Sequence, residues 1–101
     1  MLETEVKVEL VVGDVTSKFE GLVRDAGLVA WDIETSGLDW RLDQIGTCQL
    51  RASTGETQIV QLDGVIPDRL RDLLESERVM KVFHHAPFDL RFMRYHWKAA
   101  P

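Results

Sequence analysis

The sequence predicts an α/β fold, a mixed sheet flanked by helices. Three observations predict it: apolar residues alternate near the N-terminus, a nearly continuous apolar run occupies positions 28–33, and helical apolar spacing follows both Pro67 and Pro87. Val6, Val8, Leu10 and Val12 alternate with Lys7, Glu9 and Val11, the period of a half-buried strand that ends at Gly13-Asp14. Thr16 or Ser17 then caps a short helix reaching about Ala26, and Gly27 stops it. Leu28–Ile33, carrying Val29, Trp31 and Ile33, reads as a central strand with apolar residues on both faces.

Ile45–Ala52 and Gln58–Leu62 are two further strands, joined through Ser53-Thr54-Gly55-Glu56 as an antiparallel hairpin. Pro67 opens a helix in which Leu70, Leu73 and Leu74 share one face while Asp68, Arg69, Arg71, Asp72 and Glu75 mostly meet water. Val79–Phe83 is a brief strand, and Pro87 starts a last helix with apolar positions Leu90, Phe92, Met93 and Trp97. With no repeat, linker or low-complexity segment, residues 1–101 are expected to form a single domain.

The 12 basic and 17 acidic residues give a net charge of −5, which excludes a global positive field as a means of drawing in nucleic acid. Any such role rests on a local site. A single cysteine, Cys48, cannot form an internal disulfide, which fits a reducing cytoplasm. No apolar run approaches the ~20 residues that cross a bilayer, and acids stand at the N-terminus where a signal peptide carries lysine or arginine. The expectation is a soluble, unprocessed, cytoplasmic protein without a membrane partner.

Residues two apart in a strand point to one side, so Asp32 and Glu34 project together from the end of the central strand. Two negative charges so placed repel unless a cation or proton lies between them. Hard divalent ions such as Mg²⁺ and Mn²⁺ prefer carboxylate oxygens and keep positions open for water and phosphate. Asp89 falls in the first turn of the helix after Val79–Phe83, a position that can face the same end of a sheet, where open α/β folds gather ligands. Taken singly, Asp32-x-Glu34 is an ordinary solvated strand end and Asp89 an acid complementing a helix dipole. Their co-occurrence, with His84 and His85 alongside, makes them a candidate site.

The segments VAWDIETSGLD and KVFHHAPFDLRFM resemble the first two motifs of the DEDD superfamily of 3′–5′ exonucleases, on the ribonuclease D side, and the resemblance runs from about Val29 to Trp97. It implies a ribonuclease H-like sheet, truncated on its C-terminal side. It also implies that Asp32, Glu34 and Asp89 are catalytic ligands of a Mg²⁺ or Mn²⁺ pair, with one ion activating water and the other stabilising the leaving oxygen. Thr35, Gly37 and Leu38 match positions that grip the terminal nucleotide, Leu38 as an apolar wedge, with His84 and His85 on the substrate side. The implied activity releases nucleoside monophosphates from the 3′ end of single-stranded nucleic acid. RNA comes first among substrates, with short oligonucleotides beside it.

Two departures stand out. His85 occupies a position where many relatives have asparagine, and the third motif, a carboxylate preceded by tyrosine or histidine, is not found before Pro101. From this follows an expected uncovered surface at the edge of Val79–Phe83 and on the apolar side of the last helix, including Phe92 and Trp97. That surface would serve homo-oligomerisation or a complementary C-terminal fragment. An alternative function is a catalytically silent nucleic-acid-binding or protein-interaction module derived from such an enzyme. A generic α/β domain would show no metal dependence of melting.

Overall fold

The computed structural model describes residues 7–100; Val6 of the first predicted strand lies outside them. The elements are β1 (Val8–Val12), α1 (Ser17–Ala26), β2 (Leu28–Thr35), β3 (Ile45–Ala52), β4 (Thr57–Gln61), α2 (Asp68–Glu75), β5 (Met80–Phe83) and α3 (Ala86–Trp97). They build one five-stranded sheet in the order β1-β4-β3-β2-β5. β2–β3 and β3–β4 are antiparallel, and the outer pairs β1–β4 and β2–β5 are parallel. The expected mixed sheet and β3–β4 hairpin are both present.

Local chemistry sets the helix ends. The Thr16 hydroxyl accepts the Phe19 N–H at 3.1 Å, and Gly27, at φ 72°, closes α1 in the left-handed conformation that only glycine adopts without strain. α2 is capped from a distance: Pro67 offers no side-chain cap, and the Asp14 carboxylate accepts the N–H groups of Arg69 and Leu70 at 2.8 and 3.0 Å. The segment after β1 is thereby tied to a helix more than fifty positions later.

All three helices contribute buried side chains to one side of the sheet. Val29, Trp31 and Ile33 of β2, Cys48 and Leu50 of β3 and Val60 of β4 form the sheet's part of the core. The helices supply Phe19 and Val23, then Leu70, Leu73 and Leu74, then Phe92, Met93 and Trp97. Trp31 sits at the junction, its ring 5.8 Å from Phe83 and 6.4 Å from Trp97. Phe92 and Trp97 are buried, so the expected uncovered surface does not lie on that side of α3.

The uncovered apolar residues lie on the opposite side of the sheet. Leu28 and Ala30 are exposed, so β2 is covered on one face rather than two. Met80 and Val82 of β5 are exposed as well, and β5 pairs only with β2 among the described residues. The same holds for β1. Its parallel register sets Glu9 beside Gln58 and Val11 beside Val60, turning Val8, Leu10 and Val12 outward. Buried Gln58 fixes this register by donating to the Glu9 carboxylate and the Thr16 hydroxyl while accepting the Thr16 N–H. Leu10→Ser is expected to change unfolding free energy by less than about 0.5 kcal/mol in a urea titration, and Val11→Ser to cost more than about 1 kcal/mol. The reverse ranking would contradict this register. Among the described residues no helix is long and apolar enough to cross a membrane.

Candidate active site at the end of the sheet

Parallel pairing of β2 with β5 decides where the acids go. Trp31 stands opposite Phe83, so the chain leaving β5 passes through His84 and His85 into α3 beside the stretch of β2 that carries Asp32 and Glu34. Both of those carboxylates are exposed, opposite Gln49 and Thr47 of β3, and a bulge after Glu34 turns the chain into the loop of residues 36–44. Asp32 Oδ1 accepts the N–H of its own neighbour, Ile33, at 3.0 Å.

Asp89 comes from the inside. The N–H groups of Phe88 and Asp89 both donate to the His85 carbonyl at 3.2 Å, which winds the first turn of α3 and sets the Asp89 side chain into the protein. The residue is 3% exposed, and its Oδ2 is buried with no hydrogen-bond partner. Burial, reinforced by the charge of Asp32, pushes its carboxyl up to about 6; His85 and His84 pull it down, and Glu34 adds a small upward push. Asp32, Glu34, His84 and His85 thus lie near enough to act on the charge of Asp89, with Asp32 and Glu34 exposed and Asp89 buried. His84 and Asp32 also share a depression of about 620 Å³ on the open face of the sheet, with Ala30, Gln49, Arg51 and Val82 among its walls.

These side chains do not form a closed cage. Among the described residues no group of three or more His, Cys, Asp or Glu side chains is drawn together tightly enough to hold a metal ion as it stands. The donors nevertheless suit a hard divalent cation, because they are carboxylate oxygens and one of them is buried without a partner.

The remaining predicted residues lie on the β2–β3 loop. The Thr35 hydroxyl donates to the Gly37 carbonyl at 2.6 Å, and Leu38 is 85% exposed at the loop's crest. Gly37 is needed for a close approach: a Cβ there would stand 2.5–2.7 Å from the Asp43 carboxylate. That carboxylate is held by the Asp39 N–H at 2.9 Å and the Ser36 hydroxyl at 3.2 Å, so it has little room to retreat. Sequence reasoning missed Ser36 and Asp43, whose only signal was a polar residue at either end of the loop. Gly37→Ala is expected to loosen the loop and speed tryptic cleavage after Arg41. An unchanged rate would mean that Asp43 yields without cost.

The sequence pattern of a 3′–5′ exonuclease family matches residues 14–101. The chain belongs to the 3′–5′ exonuclease family. Solved structures agree on the exonuclease fold. Brucella melitensis NrnC with bound Mg²⁺ superposes with a TM-score of 0.83 at 23% identity, over 94% of this chain and 47% of that one. The same protein bound to pGG gives 0.85 at 23% identity, over 96% and 47%. Trypanosoma brucei RNase D in complex with RNA U12 gives 0.68 at 16% identity, over 92% and 36%. At these identities the likeness is one of fold, and the chain spans less than half the length of each of these proteins. Comparison with curated proteins gave no match.

Proposed function

We propose that this exonuclease-family domain carries the cation-binding part of a hydrolytic site. Asp32, Glu34 and Asp89 hold Mg²⁺ or Mn²⁺, and the site removes nucleoside monophosphates from the free 3′ end of single-stranded nucleic acid. The observation that carries this reading is the buried, unpartnered Oδ2 of Asp89, electrostatically coupled to the two carboxylates of β2. A buried carboxylate oxygen without a partner is costly, and a cation or a proton is what satisfies it. A divalent ion held there by Asp32, Glu34 and Asp89 would supply Lewis-acid charge for a phosphoryl oxygen.

The chain's own residues do the rest. Asp32 and Glu34 offer oxygens from the strand while Asp89 offers one from the helix start, and a cation held by them would offset the charge of a phosphodiester brought against β2 and α3. Leu38, exposed on a loop braced by Asp43, wedges against the terminal base, and the Thr35 hydroxyl holds that loop through Gly37. His84 and His85 place two imidazoles beside the same carboxylates and face the substrate phosphate. RNA is the favoured substrate, with short oligonucleotides beside it, a reading supported by the pGG and RNA U12 bound to the fold relatives. That these acids stand short of a closed cage favours one second reading, a binding module without turnover.

The test uses short 5′-labelled RNA and DNA with millimolar Mn²⁺. Exonuclease action shortens the label one nucleotide at a time and is blocked by a 3′-phosphate. Internal cuts, or mononucleotides released from the 5′ end, would contradict it. Retained oligonucleotide without products is the outcome of the silent module.

A further inference from the structure

Beyond Leu38 the β2–β3 loop lays Trp40 against the outer face of α3. The indole meets Tyr95 edge-on with centroids 5.1 Å apart, and the guanidinium carbons of Arg41 and Arg91 stand 5.3 and 5.7 Å from its centroid. Trp40, Pro87, Leu90, Arg91, Arg94 and Tyr95 line a cleft of about 630 Å³. A second hollow of about 280 Å³ shares Trp40, Pro87 and Arg91 with it and reaches Leu38 and His85, at the margin of the carboxylate site. Sharing these three walls, the two hollows adjoin as a trough lined from Leu38 and His85 to Arg94 and Tyr95.

Two further facts indicate what the trough takes. In a chain of net charge −5, three arginines gather around a single tryptophan, a local reversal of sign. Arg91 and Arg94 are exposed and make no salt bridge among the described residues, whereas Arg41 is paired with Asp39. Arg91, Arg94 and Tyr95 fall three and four positions apart on one face of α3. A merely solvated helix face does not account for a guanidinium seated on an indole beside a second aromatic ring. Unpaired guanidiniums interleaved with aromatic rings are the combination that holds a single strand, through phosphate charge and base stacking.

We propose that this trough is an upstream subsite for single-stranded nucleic acid. Arg91 and Arg94 hold phosphates behind the one being cleaved, and half-exposed Tyr95 presents ring surface to a base. The inference rests on the proposed exonuclease reading for its direction and extends it to substrate length. From Pro87 to Tyr95 the helix rises about 12 Å, enough for roughly two or three nucleotides. The enzyme therefore favours strands longer than a dinucleotide.

The experiment measures binding of 5′-fluorescein-labelled oligouridylates of two and six nucleotides by anisotropy, in chelator so that nothing is cleaved, across a salt series. The wild type binds the hexanucleotide about tenfold or more tightly than the dinucleotide. The double variant Arg91→Gln/Arg94→Gln brings that ratio close to one and lowers the slope of log affinity against log salt by about 1.4. Tyr95→Ala lowers hexanucleotide affinity with the slope kept, and Arg78→Gln, an exposed arginine elsewhere, changes neither. Circular dichroism checks that each variant is folded. A wild-type ratio near one, or a ratio and slope untouched by the double variant, overturns the subsite. Mononucleotide release by the wild type in Mn²⁺ is scored separately. Release without the length effect removes the subsite and leaves the exonuclease reading; the length effect without release does the opposite.

Discussion

Asp32→Ala is expected to lower Mn²⁺-supported hydrolysis of a short oligonucleotide by at least about 10³-fold while leaving the fold intact. The fold should survive because Asp32 is exposed and its one hydrogen bond reaches only the N–H of Ile33. Hydrolysis should not, because only Glu34 and Asp89 would remain to hold the cation. Quantified product release with matched circular dichroism spectra checks both halves. Turnover within tenfold of wild type would remove Asp32 from the site. Equal inertness of wild type and variant would support the binding module instead.

Asp89→Asn is expected to stabilise the cation-free protein at pH 7.5. The folded Asp89 carboxyl lies at about 6 against an ordinary value of 3.8, chiefly because it is buried and secondarily because Asp32 stands near. A raised carboxyl binds its proton more tightly in the folded than in the unfolded chain. Its contribution is therefore fully favourable below about 3.8, fades as pH rises from there through about 6, and leaves an ionised, desolvated group above. A gap of about two pH units corresponds to roughly 3 kcal/mol at pH 7.5. The asparagine variant, which carries no charge there, should unfold at higher urea by a comparable free energy, and the difference should shrink toward pH 4. Millimolar Mn²⁺ favours the ionised form and should restore the wild type while doing little for the variant. Superimposable urea curves for the two proteins at pH 7.5 without metal would show that Asp89 carries no such penalty.

The elements legible in the sequence were those written in local chemistry. Thr16 and Gly27 bound α1 as their side-chain oxygen and left-handed conformation require, and β3 covers Ile45–Ala52 as its pattern predicts. The leucines at 70, 73 and 74 do share a buried face. What could not be read was set by partners distant in sequence. The buried side of β1 depends on its register with β4 and on Gln58, so the more hydrophobic alternation of Val8, Leu10 and Val12 misidentified it. Asp14 caps a helix through N–H groups fifty-five and fifty-six positions away, and no spacing rule announces that. The carboxylates were legible as residues on recognisable elements. The burial of Asp89, and the seating of Trp40 on α3 with two arginines over its ring, are properties of packing.

The most direct test of the shared cation site is Mn²⁺ anomalous diffraction from crystals of this protein grown near neutral pH. The account predicts a peak bounded by the carboxylates of Asp32, Glu34 and Asp89, lying against Asp89 Oδ2. Manganese bound elsewhere, with the Asp89 oxygen still buried and unpartnered, would contradict it.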